Sequence, residues 1–190
     1  MYMLLKSKEI AFTGVMMALG VLLVTLGGYF EGSTLFFLAA ASFLTGVVFR
    51  SISLTAAFSF VAGTTFLGFI LAPQKLYLAT FLAFCIYVIV AECLEKAWGG
   101  ERAVLKKSRV WVAKALLYHF LLGISIFLVQ KFFGLEILFS KGVLSKFKNQ
   151  KILLIILLFF SAELLWLVFD RAYFYFQGRY GRMFQRLKQE

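Results

Sequence analysis

Histidine and proline each occur once in this chain of 190 residues, and cysteine occurs twice. A single histidine excludes a His-based metal cluster within one chain. Cys85 and Cys93 lie eight residues apart in one apolar run. A helix would separate them by about 12 Å along its axis, beyond disulfide reach. One proline and no Ser/Gly/Pro-rich stretch leave no linker, which argues for a single domain. Walker A, GxSxG, HExxH and CxxC motifs are missing, and with them the chemistry that each carries. Neither an enzymatic role nor a cofactor is expected, and no internal repeat stands out.

Acidic residues are also scarce. Nine Asp and Glu face 20 Lys and Arg, for a net charge of +11. Such an excess can serve nucleic acid. Here the basic residues sit between or beside apolar runs, where they act as orientation signals and lipid-headgroup contacts. No nucleic-acid recognition motif accompanies them, so no nucleic-acid partner is expected.

What the chain has in abundance is apolar length. Hydrophobic residues make up 62% of it and the mean hydropathy is +0.90, against about 45–50% apolar in a soluble domain. Six runs emerge: Ile10–Gly28, Leu35–Phe49, Leu54–Ala72, Leu76–Leu94, Val110–Phe133 and Ile152–Phe169. The first has nineteen residues without a charge. As a helix it would be roughly 28 Å long, about the thickness of a bilayer's hydrocarbon core. Lys6 and Lys8 before it resemble the start of a signal peptide, but the run is long and no small-x-small cleavage site follows. An uncleaved first helix is expected. The pattern predicts an all-α membrane protein with six transmembrane helices, a domain over 1–172 and a basic amphipathic cytoplasmic tail over 173–190. In that tail Arg179, Arg182 and Arg186 share one face and Tyr180, Met183, Phe184 and Leu187 another. Such a segment suits an anionic membrane surface. A short interfacial helix is also expected between Gly134 and Lys151, where apolar residues alternate with lysines.

Six spans put both termini on one side. Lys75, Lys131, Lys141, Lys146, Lys148 and Lys151 fall on the opposite side, and the other 14 basic residues fall with the termini. The positive-inside rule then places both termini in the cytoplasm of a multi-pass protein. Trp98, Trp111, Tyr173 and Tyr175 would lie near the inner boundary, and Tyr29 and Phe30 near the outer one.

The first run carries small residues on two sides. Ala11, Ala18 and Thr25 recur every seven residues beside Gly14, Val21 and Gly28. Thr13, Gly20 and Gly27 line another side. Small residues let backbones approach closely, which holds helices together in lipid. This helix is therefore expected to be the one its neighbours, or a partner protein, pack against. The partner-docking face is assigned to Ala11, Gly14 and Ala18. Ala39, Ser42 and Gly46 in the second run, Ser59 and Gly63 in the third and Ala79 and Ala83 in the fourth make further small-residue pairs.

Ionisable residues within spans cost several kcal/mol unless paired or hydrated. Glu163 lies mid-span in the sixth run, and His119 lies at a similar depth in the fifth. They form a candidate intramembrane polar pair, either a structural hydrogen bond, which is favoured, or a proton relay. Lys114 and Asp170, at matching shallow depths, are a candidate ion pair or two snorkelling groups. Glu92, at the start of the charged inner connection, and Glu31, in the first outer loop, are expected to be solvated.

Six short helices, termini inside, a small-residue first helix and the compact hairpin ASFLTGVVFRSISLTAAFSFVAG resemble the substrate-binding S component of energy-coupling factor (ECF) transporters. That resemblance implies a bacterial plasma-membrane protein that captures a small molecule such as a vitamin, or a metal ion, from outside. It implies docking through an Ala-xxx-Ala face of the first helix onto a transmembrane coupling subunit that carries two ATPases. The matching positions are Gly14 and Ala18, in GVMMA. The first alanine of that face is glycine here, a proline often found before the second helix is missing, and Arg50 stands where a glycine-containing turn is common. The fold is also similar to that of MreD-like scaffold proteins of the cell-shape machinery, which transport nothing. Membrane lipid is a partner on either reading.

Overall fold

The computed structural model describes residues 7–98, 104–133 and 151–189. These form α1 (Ser7–Tyr29), α2 (Thr34–Ser51), α3 (Leu54–Leu71), α4 (Leu76–Trp98), α5 (Val104–Phe133) and α6 (Lys151–Gln189), with a 3-10 turn at Glu31–Ser33 and, among the described residues, no strand. Helices α1 to α4, and Ser108–Phe127 within α5, are long and apolar enough to cross a membrane. The chain is an all-α, multi-pass membrane bundle. Helix α6 is not among those five candidates, because its described part carries Glu163, Asp170 and Arg171 close together. The helix expected between Gly134 and Lys151 lies outside the described residues, as do the side chains of Arg182 and Arg186.

Local sequence explains where the helices break. The carbonyl of Gly27, near the end of α1, accepts from the Thr34 hydroxyl at 2.8 Å. The first residue of α2 thus meets one of the acceptors that a helix end leaves open. Ser53 caps α3 by accepting from the Ala56 N–H at 3.2 Å. Helix α3 stops at Ala72, whose ψ of 134° is the extended conformation imposed by the following Pro73. That proline lies against Gly28, where an added Cβ would come within 2.8 Å of the ring. The ends of α1 and α3 therefore meet through the only proline and a bare backbone.

The chain divides into two compact units, one made of residues 1–111 with 173–190 and the other of residues 112–172. The side chains of the two units differ in character. Helices α1 to α4 carry glycines and alanines on which neighbours nest, and their core joins Met16, Val24, Leu38, Leu44, Phe60, Phe81 and Cys85. The described faces of α5 and α6 are bulky and mostly exposed, including Leu116, Phe120, Phe159 and Phe160. Lipid offers such surfaces no drive to leave it.

Within the first unit both α1 and α2 pack against all three of the other helices, and α2 is the more enclosed of the two. Of the apolar span of α2, 56% of residues are buried, against 33% for α1. Ala41, Ser42, Thr45 and Gly46 let α2 be approached from several sides. Helix α1 keeps Val15, Leu19 and Leu22 outward.

The last helix does not end at Asp170 and Arg171. It runs unbroken from Lys151 to Gln189 over 39 residues, roughly 58 Å and longer than a bilayer core. Without proline, and with Tyr173 and Gln177 anchored in the first unit, nothing stops it at residue 172.

Candidate functional site

The two small-residue sides of α1 have different surroundings. Thr13, Gly20 and Gly27 face inward. A Cβ at Gly20 would sit 2.9 Å from Phe60 Cζ on α3, and one at Gly27 would sit 3.3 Å from Phe37 Cβ on α2. Ala11, Gly14 and Ala18 are exposed, and a Cβ at Gly14 would meet nothing within 4 Å. The longer stripe does not stay on one surface. Val21 and Gly28, read with Gly14 as one row, are buried within the unit. The open part is confined to the N-terminal half of the helix.

A polar cluster lies where the ends of α2 and α4 meet the segment after residue 172. Arg50, the last basic residue of α2, grips Glu92 of α4 from Nε at 2.9 and 2.8 Å and from Nη2 at 2.7 Å. Such a bidentate, charge-assisted contact is among the stronger polar interactions. The Tyr173 hydroxyl donates to Oε1 of the same carboxylate. Glu92 is therefore not solvated. Its side chain is 5% exposed, and its charge is matched by the guanidinium and the phenol. Tyr173 reaches it because Gly46 is bare, since an added Cβ there would collide with the tyrosine hydroxyl. One turn on, Gln177 donates from Nε2 to the Phe43 carbonyl at 3.1 Å. The Phe43 ring meets Tyr173 edge-on at 5.4 Å.

Sequence reasoning missed this cluster, although two signals were present. Arg50 interrupts two apolar runs, and the two crossings made by α3 and α4 bring Glu92 back to the same end. In the sequence pattern Tyr173 marks only an interfacial aromatic, and Gln177 falls within the amphipathic tail.

In the unit of residues 112–172, partners on α6 fall in number as those on α5 rise, so the helices run antiparallel. Lys114 Nζ lies 3.7 Å from Asp170 Oδ1, with both side chains at most 10% exposed. Tyr118 stacks on Trp166, with centroids 5.2 Å apart and planes at 14°. His119 Nε2 lies 3.0 Å from Glu163 Oε1. That contact is short but off the ring N–H direction, so Oε1, itself sealed from solvent, accepts no aligned hydrogen bond. The other ring nitrogen, Nδ1, lies 2.7 Å from the Ala115 carbonyl. Cys85, fully buried, accepts from the Thr45 hydroxyl at 3.3 Å, and both cysteines are free. Among the described residues, no three His, Cys, Asp or Glu side chains converge as a metal site would require.

Comparison with protein-family models, curated proteins and solved structures finds no match for this chain.

Proposed function

We propose that this chain is the membrane-embedded substrate-binding subunit of an ECF-type uptake transporter. It would sit in a bacterial plasma membrane with both ends cytoplasmic, take up a small molecule such as a vitamin, and have no catalytic activity of its own. The observation that carries the reading is the two-sided first helix. One small-residue side is consumed by α2 and α3. The Ala11, Gly14 and Ala18 side is left bare at the end expected to face the cytoplasm. In lipid, helices associate through close backbone contact, and such a face suits a partner helix. On this reading the partner is the coupling subunit that carries the ATPases. No solute-binding residue is assigned.

A second reading, an MreD-like scaffold, draws on the core. At the level of the first outer loop the interior of α1 to α4 is filled by Val24, Leu38, Leu78 and Phe81, as suits a protein that assembles others rather than holding a solute. Both readings require a membrane partner on α1, and they differ in what that partner is. Purification of the tagged protein from its native membrane, in wild-type and Gly14→Leu forms, tests them. ATPases and a coupling subunit should come down with the wild type and be lost with the variant, while the variant itself stays folded. Cell-wall proteins in their place would establish the scaffold. A variant that keeps every partner would remove the docking face, and the main support for either reading with it.

A further inference from the structure

The segment after residue 172 has two sides, and neither reading of the function uses the outer one. We propose that Arg179, Arg182 and Arg186 form a row that binds the phosphate headgroups of anionic phospholipids by charge, beside the ends of α2 and α4 expected to face the cytoplasm.

Helix α6 continues without a break to Gln189. The place of each residue around it therefore follows from a turn of about 100° per residue. Tyr173 and Gln177 lie on one side, and both are buried. That side is anchored, since the tyrosine hydroxyl donates to Glu92 and the glutamine amide to the Phe43 carbonyl. Tyr180, Phe184 and Leu187 continue it along the helix. Arg179, Arg182 and Arg186 fall within about 60° of one another on the opposite side. An amphipathic helix lying on a membrane puts its apolar side into the lipid. Here that side starts in the anchor on α2 and α4, and the side left outward is charged. The lipid is then met through headgroup charge rather than through apolar insertion.

The described part of the row is open. Arg179 is exposed, and so is Tyr175 one turn before it. Arg179 donates from Nη1 to the Tyr175 hydroxyl at 3.1 Å. That bond steadies the guanidinium and leaves further donors for an acceptor. A Cβ at the neighbouring Gly178 would meet nothing within 4 Å, so the approach is uncovered. From Arg171 to Gln189 the chain has no acidic residue, and Glu92, at the anchor, is already matched by Arg50. Nothing on its own helix neutralises the row. The anchor ties it to the level where the apolar runs give way to Arg50 and Lys96. Lipid phosphates lie at such a boundary, and the guanidinium fork suits them. An acidic protein could offer carboxylates to the same row, but the level of the anchor favours the lipid. The proposal stands whether or not the chain transports anything.

The whole protein in nanodiscs of mixed phosphatidylglycerol and phosphatidylcholine tests it. Spin-labelled forms of each lipid report binding through the fraction slowed by the protein. The wild type should slow phosphatidylglycerol preferentially, and added salt should weaken the preference. Arg179→Gln, Arg182→Gln and Arg186→Gln together should lower it by roughly fivefold or more, with the denaturation temperature unchanged. Lys106→Gln, Lys107→Gln and Arg109→Gln together, an equal loss of charge elsewhere, should lower it less. Equal slowing of the two lipids by the wild type would overturn the proposal, as would equal effects of the two triple variants. A preference abolished by inorganic phosphate but not by chloride of equal ionic strength would mark a small-anion site and overturn it too. So would lipids that are not distinguished while the arginine variant loses a co-purifying protein, which would assign the row to an acidic protein surface.

Discussion

Glu92 and Glu163 are both carboxylates on otherwise apolar helices, yet their surroundings differ. Glu92 is 5% exposed and engages a guanidinium and a phenol. Glu163 is 24% exposed and faces one imidazole. The first is a charge neutralised by a residue that stays ionised, so it can be sealed inside the bundle as a fixed joint. The second meets its imidazole without an aligned hydrogen bond, so it is not fixed in the same way. The same residue type is thus a fixed joint at one place and a looser contact at another, and the partner decides which.

Breaking the Arg50–Glu92 contact should have the largest effect. Arg50→Ala leaves Glu92 buried with only the tyrosine donor, and loss of one partner of a buried pair costs on the order of 3–5 kcal/mol. Arg50 is itself partly exposed, so the lower end is expected, read from the denaturation of purified protein in detergent. A smaller effect separates the two glycine environments. Gly46→Ala drives a methyl into Tyr173 and should destabilise by about 1–3 kcal/mol, with faster amide exchange over residues 173–180. Gly14→Ala, in open space, should change the isolated protein by no more than about 1 kcal/mol, in the stabilising direction. Equal effects at the two positions would remove the distinction between a filled notch and a free face. The smallest change is expected at the looser contact. Glu163→Gln should cost no more than about 0.6 kcal/mol, the usual size of an intramembrane side-chain hydrogen bond, because Oε1 accepts no aligned one. A loss as large as that of Arg50→Ala would make Glu163 a fixed joint too.

Much of the fold could be read from the chain because its terms are local. Apolar runs of membrane length, interrupted by Arg50, Pro73 and the charged stretch after Glu95, set out the helices. Depth within a span follows from counting residues at 1.5 Å each. Counting places Lys114 with Asp170 and His119 with Glu163 at matching levels, and antiparallel neighbours then meet. The cluster around Glu92 was not legible, because its members are separated by 42 and 81 residues. Counting gives a height along the membrane normal but no direction around a helix.

By itself, then, the sequence determined an all-α membrane chain, where most of its helices begin and end, and which small residues share a side of α1. Only the tertiary structure decided which of those sides is spent inside the bundle, that α2 is more enclosed than α1, and that the segment after residue 172 returns to the first unit. The physical reason is that lipid removes the usual inside–outside signal. Apolar residues are at home on both surfaces of a membrane helix, so hydropathy does not say which face is buried. Shape does: a bare glycine finds its use only when a particular Phe60, Pro73 or Tyr173 arrives against it.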